Sequence, residues 1–357
     1  MRRIFLIVLL SFAFSAWGGS YHFVHFTGND GLPHQQVEAL QFDAKGMLWI
    51  GTRNGLSKYD GYSFVNYHKD LSNPNSLNHN FVKSLYVDKK GRLWVGTHNG
   101  ICRYRPETDD FKSYTLSNIL IQTILENSKG EIICAGHQLY RYDEKLDTFK
   151  MVPRKERGFI ISMAIDRQDR LFVSTNTSIF YYDQEFGKCT QINTEYFDDF
   201  ITGVDGIIPL KFDTNGRLWI GRNGKGVMNV DLATGKKDIY RPEVLSDGTV
   251  RVITEDADGR VWLGTEKGVT IINPDGRIEI LRKSFSNAHS LNDNAIYSIV
   301  TDRYDNIWMG TYFGGINVIF RENEQFYWVE PGYGDANLRG NAVRKMLQPG
   351  NGEIWLA

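Results

Sequence analysis

The chain has 357 residues, roughly two to three average domains by length, although regular all-β architectures often run larger as one unit. Its 41 Lys and Arg against 42 Asp and Glu leave a formal net charge of -1, which excludes a polybasic nucleic-acid surface and an acidic solvating tail. Apolar residues at 41% exclude a disordered chain, and 35 Gly, 8 Trp, 18 Tyr and 21 Phe beside 9 Pro point to short strands and tight turns rather than a helix bundle.

Arg2 and Arg3 precede an apolar run from Ile4 to Trp17, and Gly18, Gly19 and Ser20 follow it. A charged start, a short apolar run and a small-residue exit predict a signal peptide over residues 1–18, cleaved at Ala16-x-Gly18. The run is short against the roughly 20 apolar residues of a membrane helix, and an uncleaved anchor is the competing reading. No later segment is long and apolar enough to span a bilayer. The mature chain is therefore expected to be exported. Three cysteines, Cys102, Cys134 and Cys189, lack a C-x-x-C or His-rich spacing, so neither a metal nor a cofactor is expected. Cys102 and Cys134 fall at strand positions where free thiols pack as small hydrophobes, and a single disulfide stays open as an alternative.

A repeat organises everything that follows. Asp43-x-x-Gly46-x-x-Trp49-x-Gly51-Thr52 returns as Asp88, Gly91, Trp94, Gly96 and Thr97, then at Asp213/Trp219, Asp256/Trp262 and Asp302/Trp308. Weaker copies stand at Asn127/Ile133 and Asp166/Phe172, and an eighth opens at Gly352/Trp355. The aromatic slot advances by 45, 39, 39, 47, 43, 46 and 47 residues. In unit 1, alternating apolar residues predict strands over Val37–Phe42, Met47–Thr52, Leu56–Tyr59 and Ser63–Tyr67. Asp-x-x-Gly suits the first turn, Asn54-Gly55 the second and Asp60-Gly61 the third. Four strands at this period predict an all-β fold: a seven-bladed β-propeller of four-stranded antiparallel blades. Trp is expected to pack one blade on the next, with the glycine after it letting them approach.

Tyr21–Phe26 also resembles an outer strand, although unit 7 has its own in Gln325–Glu330. The surplus strand would close this propeller or a following one. Residues 19–36 are thus assigned to an outer strand and lead-in, 37–330 to the propeller, and 331–357 to a linker and the truncated start of a second propeller.

D-x-x-G-x-[LIV]-W-[IVL]-G-T followed by N-G-[LI]-x-x-[YF] resembles the two-component regulator propeller repeat, over about residues 21–357. Gly31-Leu32-Pro33, Asn73-Pro74-Asn75-Ser76-Leu77 and His289-Ser290-Leu291-Asn292 are similar to its lead-in and linkers. The resemblance implies the periplasmic sensor region of a hybrid two-component histidine kinase, anchored in full length to the inner membrane. It further implies a second propeller, a β-sandwich, a kinase core and a transcriptional regulator outside this sequence, with a homodimer as the working sensor.

Three functions compete. A ligand sensor, reading a glycan breakdown product, would bind it where blade-top loops meet the channel. The second-to-third turns offer Arg53, His98, His137, Arg222 and Tyr312, and the inter-blade linkers offer His34, Gln35, His79, Asn80, Asp293 and Asn294. Arg53, His98, Arg222 and Tyr312 recur at one slot and are expected on one rim, with His34, Asn80 and Asn294 beside them, around an anionic or polyhydroxylated oligosaccharide. A secreted propeller lyase or glycosidase is the second reading, but no nucleophile elbow or HExxH is present, and most acidic residues sit in repeated turns. No catalytic residue is assigned. A scaffold for protein contacts is the third, with Phe326, Tyr327, Trp328 and Tyr333 as candidate covered aromatics.

Overall fold

The computed structural model describes residues 21–114, 116, 120–154, 158–192, 209–321, 343–348 and 355–356. The expected signal peptide, the Gln325–Glu330 strand and the aromatics at 326–328 and 333 lie outside them.

Every blade but the third begins with a hairpin that a single carboxylate organises; blade 3 has Asn127 there. Asp43 Oδ1 accepts the amides of Lys45 at 2.9 Å and Met47 at 3.0 Å, while Gly46 takes φ 83°. That much is ordinary turn chemistry. Asp43 Oδ2 additionally accepts the Trp49 indole N–H at 3.0 Å. The same indole bond joins Trp94 to Asp88 at 2.8 Å, Trp219 to Asp213 at 2.9 Å, Trp262 to Asp256 at 2.7 Å and Trp308 to Asp302 at 3.2 Å. The turn therefore also fixes the rotamer of the ring that fills the core.

Seven four-stranded antiparallel sheets result. Blades 1 to 6 cover 37–67, 82–114, 121–152, 162–191, 210–240 and 250–281. Blade 1 has its strands at Val37–Phe42, Leu48–Thr52, Gly55–Tyr59 and Phe64–Tyr67, within a residue of the sequence pattern. The first strands of neighbouring blades touch around the whole ring, and it closes where Val37–Phe42 meets Ile296–Thr301 of blade 7. First strands are thus innermost. Trp49 packs 4.7 Å from Tyr104 of blade 2, and Trp94 packs 4.8 Å from Tyr142 of blade 3. A Cβ on Gly51 would lie 2.7 Å from Val82 Cγ1, and one on Gly310 would lie 2.5 Å from Val37 Cγ1. Only glycine permits blades to approach this closely.

Blade 7 takes its outer strand from the other end of the chain. Phe23–Phe26 pairs antiparallel with Ile316–Ile319, Phe23 opposite Ile319 and Phe26 opposite Ile316. The surplus strand closes this propeller. Flanking contacts bind it to three blades: Tyr21 lies 6.1 Å from Trp262, Phe26 stacks 6.0 Å from Trp308, and Phe26 sits 5.2 Å from Tyr59. Further along, Met346–Leu347 pairs with Trp355–Leu356 as a two-stranded ladder. A second propeller is not visible in so short a pair. Cys102 and Cys134 are buried and Cys189 half-buried; all three are free thiols, so the open alternative of a disulfide is not realised.

At the outer corners, Asp109 and Asp147 stand in the left-handed region with φ 51° and 47°. Asp109 accepts the hydroxyls of Tyr67 and Tyr104, each at 2.6 Å. Asp147 accepts Tyr114 at 2.6 Å and Tyr142 at 2.5 Å, beside Lys112 and Arg103. Each carboxylate receives one phenol from its own blade and one from the blade before. Burial pushes the Asp147 carboxyl up, but the Lys112 ammonium, both phenols and Arg103 outweigh burial and hold it well below the usual carboxylate range.

Two outcomes follow. Asp88→Asn keeps an acceptor for the turn amides but presents an amide to Trp94 N–H and Arg92 Nε, so it is expected to cost about 2–3 kcal/mol in urea unfolding; a loss below about 0.5 kcal/mol contradicts the clamp. For Asp147, a depressed folded pKa gives stability that is present above the unfolded value near about 4 and lost as pH falls through the folded one. The wild-type advantage over Asp147→Asn is therefore expected to be constant from about pH 5 upward and to shrink below about pH 4. Asn tolerates the left-handed backbone, so strain does not confuse the comparison.

Candidate functional site

The innermost strands break their own alternation at one position. In blade 1 the register steps from Val37 opposite Thr52 to Ala39 opposite Gly51, leaving Glu38 as the extra residue of a bulge. The same step isolates Lys83 in blade 2, Gln122 in blade 3, Arg251 in blade 6 and Tyr297 in blade 7. A bulge re-aims its side chain, and on innermost strands these converge at the channel mouth. Lys83 Nζ meets Glu38 Oε2 at 2.6 Å, and Gln36 Nε2 donates to Glu38 Oε1 at 2.6 Å. Lys83 also lies 5.9 Å from the Tyr297 ring, and the Arg251 guanidinium lies 4.6 Å from that ring. A blade 2 lysine reaches a blade 7 ring across the inside of blade 1. Arg251 pairs in turn with Glu266, through both Nε and Nη2. One connected belt results: Glu266, Arg251, Tyr297, Lys83, Glu38 and Gln36.

Burial raises the Tyr297 phenol above its ordinary value, Glu266 and Glu38 add to the rise, and Arg251 opposes it. The phenol is therefore a neutral donor at pH 7. Cation–π contacts on a desolvated ring contribute roughly 1–2 kcal/mol each and hold the ring in place.

The rim slot behaves unevenly. Tyr312 is half-buried with its ring 5.3 Å from Tyr297, so it extends the belt. Arg53 and His98 are exposed and share Phe81 between them: the guanidinium lies 5.2 Å from that ring and the His98 ring 5.8 Å away, nearly parallel. His79 adjoins His98 at 5.4 Å; burial and that neighbour lower its pKa. His137 is exposed, and its carbonyl accepts Arg154 Nη1 at 2.6 Å. Arg222 is a correction to the expected solvated rim: it is 2% exposed at the end of Leu218–Arg222, and burial lowers its pKa.

The linker residues brace turns. Asn80 Oδ1 accepts Lys69 N–H at 2.6 Å, and Asn294 Oδ1 accepts Lys283 N–H at 2.7 Å. Their carbonyls accept Gly55 N–H at 2.6 Å and Gly268 N–H at 2.8 Å. His34 is exposed and its Nδ1 accepts Gln36 N–H at 2.9 Å, as His79 Nδ1 does for Phe81. Asp293 Oδ2 accepts Phe313 N–H at 2.7 Å. Among the described residues no cluster of His, Cys, Asp or Glu is arranged to hold a metal.

Sequence reasoning passed over Glu38, Lys83, Gln122, Arg251 and Tyr297, although a signal was present. Val37 and Leu40, Val82 and Leu85, Ile121 and Ile124, Val250 and Ile253, Ile296 and Ile299 are all buried. Buried residues three apart in a strand break the period of two, and the skipped residue is the bulge.

Fold and mouth define a seven-bladed propeller with a polar, partly desolvated cluster at the axis. The two-component regulator propeller model matches residues 31–54, 76–99, 244–267 and 290–313. It is 37% identical over 82 residues to histidine kinase P4 of Formosa agariphila, covering 22% of this chain and 6% of that protein. Its fold is similar to the extracellular domain of a hybrid two component system from B. thetaiotaomicron, at TM-score 0.74 and 22% identity, covering 94% of this chain and 46% of that one. The virginiamycin B lyase of Staphylococcus aureus shares the fold at TM-score 0.64 and 16% identity, covering 84% of this chain and 98% of the lyase. The chain thus spans under half the length of the extracellular domain it resembles.

Glu38 is buried against Lys83, so Lys83→Met is expected to cost about 3 kcal/mol by leaving a buried carboxylate unpaired. Adding Glu38→Gln should restore more than half of that loss in chemical unfolding. Equal stability of the single variant and the wild type would mean that water, not Lys83, satisfies Glu38.

Proposed function

We propose that this chain is the extracytoplasmic ligand-sensing propeller of a hybrid two-component sensor kinase, working in the periplasm after removal of residues 1–18. The ligand is an anionic or polyhydroxylated glycan breakdown product seated over the channel mouth. Binding is passed to an inner-membrane-anchored kinase and transcriptional regulator through a second propeller and a β-sandwich, in a homodimer. The observation that carries this reading is that the bulged residues Glu38, Lys83, Arg251 and Tyr297, from four blades, meet in one connected cluster. Propellers use this end of the channel for small molecules. Arg53, His98 and Tyr312 stand in the turns around it, where charged forks and ring faces suit acidic groups, hydroxyls and sugar rings.

Recognition is favoured over catalysis in this segment. A glycosidase needs two carboxylates, one of them able to donate a proton. At this mouth Glu38 and Glu266 are each held by a cation. The hairpin aspartates are committed to turn amides and indoles. No nucleic acid is expected to bind a segment of net charge -1.

Calorimetry on the purified chain with uronate-bearing, sulfated and neutral oligosaccharides tests the reading. One class is expected to bind, and Arg53→Ala and Tyr312→Ala should each weaken it at least tenfold, with little change in Tm for Arg53→Ala because that side chain is exposed. Binding that the double variant leaves unaltered would put the site elsewhere, and binding of none would remove glycans from the proposal.

A further inference from the structure

We infer that Glu266 is a resident stand-in for the ligand's acidic group: a carboxylate or sulfate on a small polyhydroxylated molecule displaces it from Arg251. This rests on the channel-mouth reading above and adds which residues take the charge.

Three observations carry it. At the position after the second strand, blades 1, 2, 3 and 7 present Arg53, His98, His137 and Tyr312, while blade 6 presents a carboxylate, Glu266. That carboxylate turns onto the Arg251 of its own bulge and pairs with its guanidinium. A carboxylate or sulfate on a ligand has the same charge and the same acceptor oxygens to offer that guanidinium. The two mouth carboxylates also differ. Glu38 has a side chain 3% exposed and holds both Lys83 and Gln36, so it belongs to the packed structure. Glu266 is 30% exposed with Arg251 as its cation, and can turn out to water.

The energetics favour exchange over simple addition. Arg251, 23% exposed, would be costly to leave unpaired beside the Tyr297 ring. Replacing one carboxylate by another conserves the charge on it, so the ligand bears no large new desolvation cost. Tyr297 and Tyr312 offer ring faces to the rest of the molecule. The released residue begins a turn tied to both linkers that flank blade 6. Lys267 pairs with Asp247 at 2.9 Å, Gly268 N–H donates to Asn294 O at 2.8 Å, and Arg282 Nε donates to Lys267 O at 3.2 Å. Movement of Glu266 therefore has a mechanical route to the edges of the blade.

The test titrates the chain with inorganic sulfate, glucuronate and glucose. Glu266→Gln removes the resident charge and is expected to tighten sulfate and glucuronate at least tenfold while glucose is unchanged. Arg251→Ala should abolish that gain, and Glu266→Ser repeats the first test with a smaller side chain. If Glu266 merely braces the turn, Glu266→Gln lowers Tm and leaves both affinities alone, which overturns the proposal, as does absence of sulfate and glucuronate binding in every form. A gain with sulfate or glucuronate while no oligosaccharide binds keeps the stand-in and sinks the glycan reading. Oligosaccharide binding indifferent to both Glu266 variants does the reverse.

Discussion

In the five blades that have a tryptophan, one carboxylate joins local chain geometry to tertiary packing. The Asp at the start of Asp-x-x-Gly turns the hairpin with one oxygen and holds the tryptophan with the other, as Asp88 does for Lys90, Arg92 and Trp94 at 2.8–3.0 Å, ordinary hydrogen-bond lengths. A tight turn thus sets the angle of a large ring lying on the next blade. The degenerate blades show the dependence by their compensations. Blade 3 has Ile133 in the tryptophan slot, and there Asn127 suffices: Oδ1 accepts Glu131 N–H at 2.9 Å and Nδ2 donates to Glu131 Oε2 at 2.8 Å. Blade 4 has Phe172, and Asp166 Oδ2 keeps Arg170 Nε at 2.6 Å, the same bond that Asp88 and Asp256 make to Arg92 and Arg260 alongside their indoles. Where the indole goes, the acceptor is changed or keeps its other donor, because a buried acceptor is not left unsatisfied.

The ring must also close, and open edges are where propellers are weakest. Closure is by strand exchange between the ends: Phe23–Phe26 completes the blade begun by Ile296–Thr301. The lead-in then carries the lock to blade 1, where Asn66 Nδ2 donates to Gly31 O at 2.9 Å and Leu32 is buried. Blade 7 is held by residues nearly three hundred positions apart, so its pairing is among the most non-local in the chain.

Most of this fold is legible in the sequence because it is written by short-range rules: a turn residue, an alternation, a ring at fixed spacing. The blade 1 strands fall within a residue of their expected bounds for that reason. The site is less legible. Arg53 and His98 were readable as exposed turn residues because position alone decides exposure there. Arg222 falls one position earlier, in the slot that Thr52 and Thr97 fill as the last residue of the second strand, and it is buried as they are; the residue that matches Arg53 is Asn223. The bulged residues look like ordinary polar members of alternating strands, and their aim depends on a register slip visible only against the partner strand.

The location of the belt follows from the unequal quality of the blades. Its residues come from blades 6, 7, 1 and 2, and the four matched repeats fall on these same blades. Blades 4 and 5 have short first strands, Ser162–Ile165 and Leu210–Phe212, which pair in continuous register. Regular blades with indole clamps and glycine contacts fix adjacent first strands relative to one another, which is what a cluster of charges on separate strands requires. A lysine from blade 2 and an arginine from blade 6 can share one tyrosine of blade 7 only if three blade interfaces hold their spacing closely. The repeat that makes the propeller regular also fixes the spacing of the mouth, and the variable residues ride on positions the regularity has already placed.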